Sequence, residues 1–296
     1  MENEKSKSRA WLEAARPRTL TASISPVILA GAIAWHDGVF NLIPFILCIL
    51  VALFAQIASN FANDYFDFKK GADSEGRKGP ERAVAQGWIT PKSMLRGTIL
   101  MLVLSCLSGL SLLFFSSWII LPVGIAIALC VIAYSAGPFP LSYHGLGDLC
   151  VLLFYGIIPV CFTYFVQCGH FSLLSLLLSL SIGLLSTNIL IINNYRDYEE
   201  DKVSGKHTTV VMFGRKSAVV AYLLNGIIAV AIVVPLLMQM PVWTEFLLAL
   251  FFVIFYSTWM EMKHKKGRPL NATLGHTARN VFLFAILVSV LLILFK

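Results

Sequence analysis

Two polar stretches, NFANDYFD at residues 60–67 and NNYRDYEED at residues 193–201, each stand at the end of a long apolar segment. If the first is helical, its polar residues and the one a turn before them share a face: Gln56, Asn60, Asn63, Asp64 and Asp67. The second stretch repeats the pattern with Asn193 or Asn194, Asp197 and Asp201. Amides and carboxylates at the end of a membrane helix are costly unless they face a wet cavity or a charged ligand. The two stretches therefore predict a polar site at the ends of membrane helices.

The composition indicates a polytopic membrane protein. Of the 296 residues, 57% are hydrophobic and 13% are charged, whereas about 25% of the residues of a soluble domain are charged. Apolar runs of roughly 20 residues are long enough to cross a bilayer as helices. We therefore predict an all-α integral membrane protein with nine spans, at residues 19–36, 42–66, 94–115, 117–136, 147–167, 171–194, 216–237, 243–262 and 277–295.

The polar parts of the chain are too short for a separate soluble domain. We expect a single transmembrane domain over residues 19–296. Residues 1–18 are polar and basic, so they are predicted to lie along the cytoplasmic membrane surface, with Trp11 and the Arg16–Arg18 turn as interface anchors.

Basic residues are distributed asymmetrically along the chain. Apart from Lys296, all Lys and Arg residues fall before the first predicted span or in and beside the loops that follow spans two, six and eight. The positive-inside rule therefore places the N-terminus and both polar stretches in the cytoplasm and the C-terminus outside. Basic residues dispersed among membrane spans argue against a nucleic-acid-binding arm.

The carboxylates of the two polar stretches suggest a metal site. Spacings of three and four place Asp64 with Asp67, and Asp197 with Asp201, on one helical face each. Two such helix ends brought together form a negative pocket that divalent cations neutralise, and Mg²⁺ prefers a few carboxylates together with phosphate oxygens. Basic residues in the loops after both stretches can hold the rest of a diphosphate: Lys70, Arg77, Arg82 and Lys206.

A magnesium diphosphate site inside a membrane suggests a lipid-linked diphosphate and heterolysis of its allylic C–O bond. Metal, Lys and Arg contacts stabilise the leaving diphosphate, and a dry aromatic cavity protects the carbocation. A cation-coupled transporter is the alternative from another class, because intramembrane Asp and Asn clusters also bind coupling ions. Carboxylates at helix ends beside basic loops favour the enzyme over the transporter.

At these residues the chain resembles the UbiA superfamily of membrane prenyltransferases. Residues 63–67 match its NDxxD motif, and Asp197 to Asp201 match its DxxxD motif. The first motif of the family often has a further Asp four residues on, where this chain has Gly71. That departure resembles the branch that prenylates 1,4-dihydroxy-2-naphthoate in menaquinone synthesis, and similar stretches extend from about residue 11 to residue 214.

The resemblance implies a nine-helix bundle around a central cavity open to the membrane, in the bacterial cytoplasmic (inner) membrane. It implies that two Mg²⁺ ions and a polyprenyl diphosphate bind to Asn63, Asp64, Asp67, Asn194, Asp197 and Asp201. The four aspartates among them would be catalytic, and the four basic loop residues would contact the diphosphate.

The reaction implied by the resemblance attaches a polyprenyl group to dihydroxynaphthoate, with loss of CO₂ and diphosphate, giving demethylmenaquinol. Arg16 or Arg18 is expected to neutralise the carboxylate of the aromatic acid, and Tyr134 or Tyr195 to orient its ring. Transfer to another aromatic acceptor such as 4-hydroxybenzoate is the alternative within the family. The sequence indicates the lipid bilayer as the surroundings and gives no sign of an obligate protein partner.

Overall fold

The computed structural model describes residues 6–71, 79–137 and 140–295, apart from the side chain of Arg18. These ranges are largely helical and contain no β-strand. Their helices are α1 Lys7–Ala15, α2 Pro17–His36, α3 Leu42–Lys69, α4 Pro91–Ser111, α5 Ile120–Ala133, α6 Gly147–Leu152, α7 Ile158–Cys168, α8 Leu173–Arg196, α9 Tyr198–Val203, α10 Thr209–Leu237, α11 Trp243–His264 and α12 Leu270–Leu294.

The predicted all-α membrane bundle is confirmed. Within the described ranges, eight helical segments are long and apolar enough to cross a membrane, and α5 is a shorter apolar helix of 14 residues. A single turn of π-helix at Leu153–Ile157 joins α6 to α7, so the two helices form one span. Most span boundaries agree with the prediction to within a few residues, but α5 is shorter than the predicted 117–136, because turns at Ser117 and Tyr134 flank it.

The helices form two walls. On one side, α2 packs between α7 and α12, and α8 packs against α10 and α12. Buried residues of α2, α7, α8, α10, α11 and α12 make up the largest apolar core. On the other side, α3 pairs with α4, and α5 lies mainly against α3.

The C-terminal end of α3, which carries the first polar stretch, is covered by α1 and by the segment before α4. Trp11 of α1 packs edge-on against Phe61, with their ring centroids 5.1 Å apart. Ala10 and Ala14 join the same buried cluster, together with Val84 in the segment before α4. This cluster holds the connection between α3 and α4 against the polar end of α3.

The π-turn brings α6 and α7 into close contact with α8. A Cβ atom added to Gly156 would lie 2.6 Å from the Cα atom of Gly183 and 2.7 Å from the carbonyl oxygen of Ser179. π-turns inside helices are frequent at functional sites. Here the turn contains Tyr155, whose hydroxyl donates a hydrogen bond to Gln56 of α3 and so joins the two walls.

We expect Gly156→Ala to lower the stability of the bundle, because the new methyl group would meet backbone atoms that cannot move independently. Overpacking of this kind costs about 1–3 kcal/mol. The thermal unfolding midpoint in detergent measures the effect. Gly124→Ala is the matched control, since a Cβ at this position in α5 meets no atom within 4 Å. Equal midpoints for both variants would contradict the close packing of the π-turn on α8.

Candidate active site

A cavity of about 960 Å³, which we call the chamber, lies between the two walls. Its deep part is lined by apolar side chains, among them Val27, Ile120, Phe162 and Val166. Its mouth is lined by residues of both polar stretches: Asn60, Asn63, Asp67, Asn193, Asn194, Asp197 and Asp201. The two stretches, far apart in the sequence, therefore share one cavity.

In the first stretch, Asn63 and Asp67 face the chamber from successive turns of α3. The Arg16 guanidinium donates to Asn63 Oδ1 at 3.2 Å, and Asn63 Nδ2 donates to the Ser135 hydroxyl at 3.1 Å. Arg82 Nη2 donates to Asp67 Oδ2 at 2.7 Å, and both side chains are buried. An amide and a carboxylate of α3 are thus held at the chamber mouth, each next to an arginine.

Asp64 is placed differently from its neighbours. Its carboxylate accepts hydrogen bonds from the backbone N–H groups of Ala83 at 3.0 Å and Val84 at 3.3 Å, and its residue is 2% exposed. It is not among the residues that line the chamber. The structure therefore gives Asp64 the role of anchoring the segment that carries Arg82, and its assignment as a metal ligand stays a prediction.

The second stretch is interrupted at Asp197, where α8 ends and α9 begins. Arg196 binds the Asp197 carboxylate with two hydrogen bonds, of 2.7 and 2.6 Å, and is almost completely buried. Its remaining bonds reach Asn193 Oδ1 at 2.7 Å and Asn271 Oδ1 at 2.8 Å. Asp201 lies 3.6 Å from the ammonium group of Lys206. The turn at Asp197 thus directs two carboxylates of this stretch to the chamber.

A tyrosine connects the basic residues that follow the two stretches. The ammonium groups of Lys70 and Lys206 lie 4.6 and 5.0 Å from the ring centre of Tyr143, within the range of cation–π attraction. Lys70 also donates to the Ser135 carbonyl oxygen at 2.9 Å. Burial lowers the pKa of Lys70, and it raises the pKa of Asp201 to about 6. Both shifts have the sign expected where charged groups lose water.

The other predicted site residues are placed as follows. Arg16 and Tyr134 line the chamber. Arg16 has φ 52°, a left-handed conformation that is unusual for a residue with a side chain, at the junction of α1 and α2. Tyr195 is buried outside the chamber lining, beneath the Arg215 guanidinium at 5.6 Å. Arg77 and the Arg18 side chain lie outside the described residues.

Sequence reasoning missed three residues that belong to this site. Arg196 lies within the second polar stretch, but the sequence does not predict that it orients Asp197. Asn271 lies in α12 and brings this helix to the chamber, a contact that the sequence did not predict. Tyr155 lies within a predicted apolar span, and the sequence does not predict its hydrogen bond to Gln56. Only Tyr155 is marked by a signal in the sequence, a polar hydroxyl within a predicted apolar span, and the sequence does not identify its partner.

The chemistry of the chamber mouth fits magnesium. Its donors are carboxylate and amide oxygens, the ligands that Mg²⁺ prefers. Within residues 6–71, 79–137 and 140–295, no three acidic, His or Cys side chains are already gathered as a preformed metal cluster. Instead, Asp67, Asp197 and Asp201 are each paired with a basic side chain. Metal binding would therefore require these carboxylates to exchange a cationic partner for the ion.

Comparison with known proteins gives the same picture. Residues 24–278 match the UbiA prenyltransferase family. The 1,4-dihydroxy-2-naphthoate octaprenyltransferase of Escherichia coli (strain K12) is 39% identical over 226 residues, 73% of this chain and 72% of that protein. The protein of the same name from Mycobacterium tuberculosis is 36% identical over 226 residues, 75% of each chain.

The fold also matches a solved structure, a UbiA homologue from Archaeoglobus fulgidus bound to DMAPP and Mg²⁺. The two share 16% sequence identity, with a TM-score of 0.69 over 97% of this chain and 99% of that one. The sequence match, which covers most of the chain, and the shared helical architecture lead to the same assignment. This chain belongs to the UbiA prenyltransferase family.

Proposed function

We propose that the protein transfers a polyprenyl group from a polyprenyl diphosphate to 1,4-dihydroxy-2-naphthoate, releasing CO₂ and diphosphate and forming demethylmenaquinol. The observation that carries this proposal is the single chamber, with a polar mouth built from both motifs and an apolar interior. The bacterial relatives with this activity in their names support the choice of acceptor.

The chamber mouth suits the diphosphate group. We assign the metal ligands to Asn63, Asp67, Asn194, Asp197 and Asp201, with Asp64 as a sixth candidate. Two Mg²⁺ ions held there would neutralise the diphosphate and make it a better leaving group. Arg82 and Lys206, now paired with Asp67 and Asp201, can turn to diphosphate oxygens when the metal takes over those carboxylates. Lys70 and Arg77 are the further candidates for this contact.

The interior suits the isoprenoid. Its apolar side chains bury the hydrocarbon chain and exclude water from the allylic carbon, which carries positive charge as the C–O bond breaks. The aromatic acid then enters near Arg16, whose guanidinium already donates to Asn63 at the mouth. Arg16 can hold the acid's carboxylate, and Tyr134 can pack beside its ring, with Arg18 and Tyr195 as the weaker alternatives.

We expect Asp67→Asn and Asp197→Asn to lower Mg²⁺-dependent transfer by at least roughly 100-fold, because each removes a charged metal ligand but keeps a hydrogen-bonding side chain. Radiolabelled prenyl transfer measured over a Mg²⁺ titration, with chelator as the blank, tests this. Glu199→Gln is the control, since this acid of α9 pairs with Arg215 and is largely exposed. Wild-type activity in either aspartate variant would refute the metal assignment.

The purified enzyme should form product from dihydroxynaphthoate in preference to 4-hydroxybenzoate when both are offered with the same labelled prenyl diphosphate. Dihydroxynaphthoate has two rings and therefore more apolar area than the one-ring 4-hydroxybenzoate. Each Å² of apolar area buried in the chamber contributes about 25 cal/mol to the free energy of binding. Product from 4-hydroxybenzoate alone would show that the acceptor is wrong. A labelled diphosphate that crosses vesicles unchanged would instead favour the transporter.

We propose that the N-terminus and the chamber mouth face the cytoplasm of a bacterium and that the C-terminus lies outside. An alkaline phosphatase fused after Lys296 should be active in Escherichia coli cells, and one fused at Gly267 should be inactive, because Lys263, Lys265, Lys266 and Arg268 favour the inner side. The reverse pattern of activities would show that the chain has the opposite orientation in the membrane.

A further inference from the structure

Asp148 is an acidic residue of the chamber wall that the metal and diphosphate assignments leave without a role. It stands in the first turn of α6 and is half-buried among the residues that line the chamber. Its Oδ2 atom accepts a hydrogen bond from the Thr209 hydroxyl at 2.6 Å. Its Oδ1 atom is buried and has no hydrogen-bond partner in the described part of the chain.

Asp148 does not serve as a helix cap. The first turn of α6 has no side-chain capping bond, and Leu146 occupies the N-cap position. A buried carboxylate oxygen without a donor costs stability. Such an oxygen in a ligand chamber is expected where a bound molecule supplies the missing donor.

The position of Asp148 relative to the diphosphate residues is set by two neighbouring segments. The backbone N–H of His207 donates to the Tyr143 carbonyl oxygen at 2.8 Å, so the segment before α6 lies along the loop before α10. That loop carries Lys206, which contacts Asp201, and it leads directly into Thr209 at the start of α10, which contacts Asp148. Asp148 is therefore adjacent to the end of the chamber where the allylic C–O bond would lie.

The surroundings of Asp148 are suited to an aromatic ring. The Tyr134 hydroxyl lies beside Gly147, 3.7 Å from where a Cβ atom of that residue would be, and Tyr134 and Tyr155 both line the chamber. Within the described residues Asp148 forms no ion pair with a basic side chain, unlike Asp67, Asp197 and Asp201 of the motifs. Such a carboxylate can accept a proton more readily than one held in an ion pair.

We propose that Asp148 is a catalytic residue that accepts the hydrogen bond, and then the proton, of a hydroxyl group on the aromatic acceptor. This proposal rests on the proposed function, because it concerns the second substrate of the same chamber. It assigns the hydroxyl group of the acceptor to the wall formed by α6 and the start of α10.

The proton transfer is balanced within one turnover. As the ring carbon forms its bond to the allylic carbon, the C–O bond to diphosphate breaks and the electron pair leaves with the diphosphate. The hydroxyl proton passes to Asp148, and the O–H electron pair becomes a C=O bond of the ring intermediate. When the carboxyl group leaves as CO₂, its bonding pair restores the aromatic ring and the carbonyl oxygen takes the proton back from Asp148.

The test compares wild type with Asp148→Asn on two acceptors, dihydroxynaphthoate and a ring-fluorinated analogue whose hydroxyl groups are more acidic. Loss of a general base lowers the rate by about 10²–10⁴-fold. We expect a loss of about 100-fold in kcat/KM for the first acceptor and a loss about ten times smaller for the second, since that hydroxyl needs less help to ionise. The KM for prenyl diphosphate should not change.

Thr209→Val is the matched control, because it removes the hydroxyl that holds Asp148 and leaves the carboxylate in place. We expect it to lower activity less than Asp148→Asn does, with the smaller loss again on the fluorinated acceptor. Equal losses on the two acceptors in Asp148→Asn, at an unchanged thermal midpoint, would overturn the proposal and leave Asp148 a structural residue. If Asp148→Asn unfolds, Asp148→Glu is measured in its place. A smaller loss of rate on the fluorinated acceptor would then support the proposal, and equal losses on the two acceptors would overturn it.

The wild-type measurement separates this proposal from the proposed function. Wild type that uses only 4-hydroxybenzoate would show the acceptor to be wrong, and the comparison is then made with that acid and its fluorinated analogue. Wild type that prenylates neither acid would overturn both proposals.

Discussion

Buried ion pairs at the chamber mouth are the constraint on which this site depends. Asp67 and Arg82 are both within a few per cent of complete burial and lie 2.7 Å apart, and Arg196 holds Asp197 with two bonds. A charge taken out of water is strongly destabilising unless a partner compensates it, and removing one partner of such a pair costs several kcal/mol. The arginines therefore allow acidic side chains to collect at a membrane helix end before any metal is bound.

The same ion pairs suit a site that is proposed to bind a metal ion and a diphosphate. Guanidinium and ammonium groups that neutralise carboxylates suit diphosphate oxygens equally well. In the proposed site, a divalent ion bound to Asp67 and Asp201 would leave Arg82 and Lys206 available for the oxygens of a diphosphate. The chamber can thus keep its charges compensated with and without substrate, which a cluster of bare aspartates could not do.

The wall opposite the first motif depends on close helix packing. Gly156 and Gly183 let the π-turn between α6 and α7 approach α8 backbone to backbone, and the same turn directs Tyr155 to Gln56. α12 takes part as well, because Asn271 accepts a hydrogen bond from Arg196. α10 and α12 therefore support the second motif through contact, and α11 packs against these two helices, although none of the three carries a comparable polar pattern.

Hydropathy and charge along the chain were sufficient to predict the membrane spans and the polar ends of the second and sixth spans, because the bilayer requires a local pattern of apolar residues. The motif spacing also indicated the chemistry of the site. It could not distinguish Asp64 from Asp67, since both are three or four residues from another polar group on the same helix. The segment before α4 distinguishes them. Its backbone N–H groups at Ala83 and Val84 donate to Asp64, and its Arg82 side chain donates to Asp67. The hydrogen bonds of Arg196 to Asn271, Tyr155 to Gln56 and Asp148 to Thr209 were likewise decided by tertiary structure, because each joins residues between 61 and 99 positions apart in the sequence.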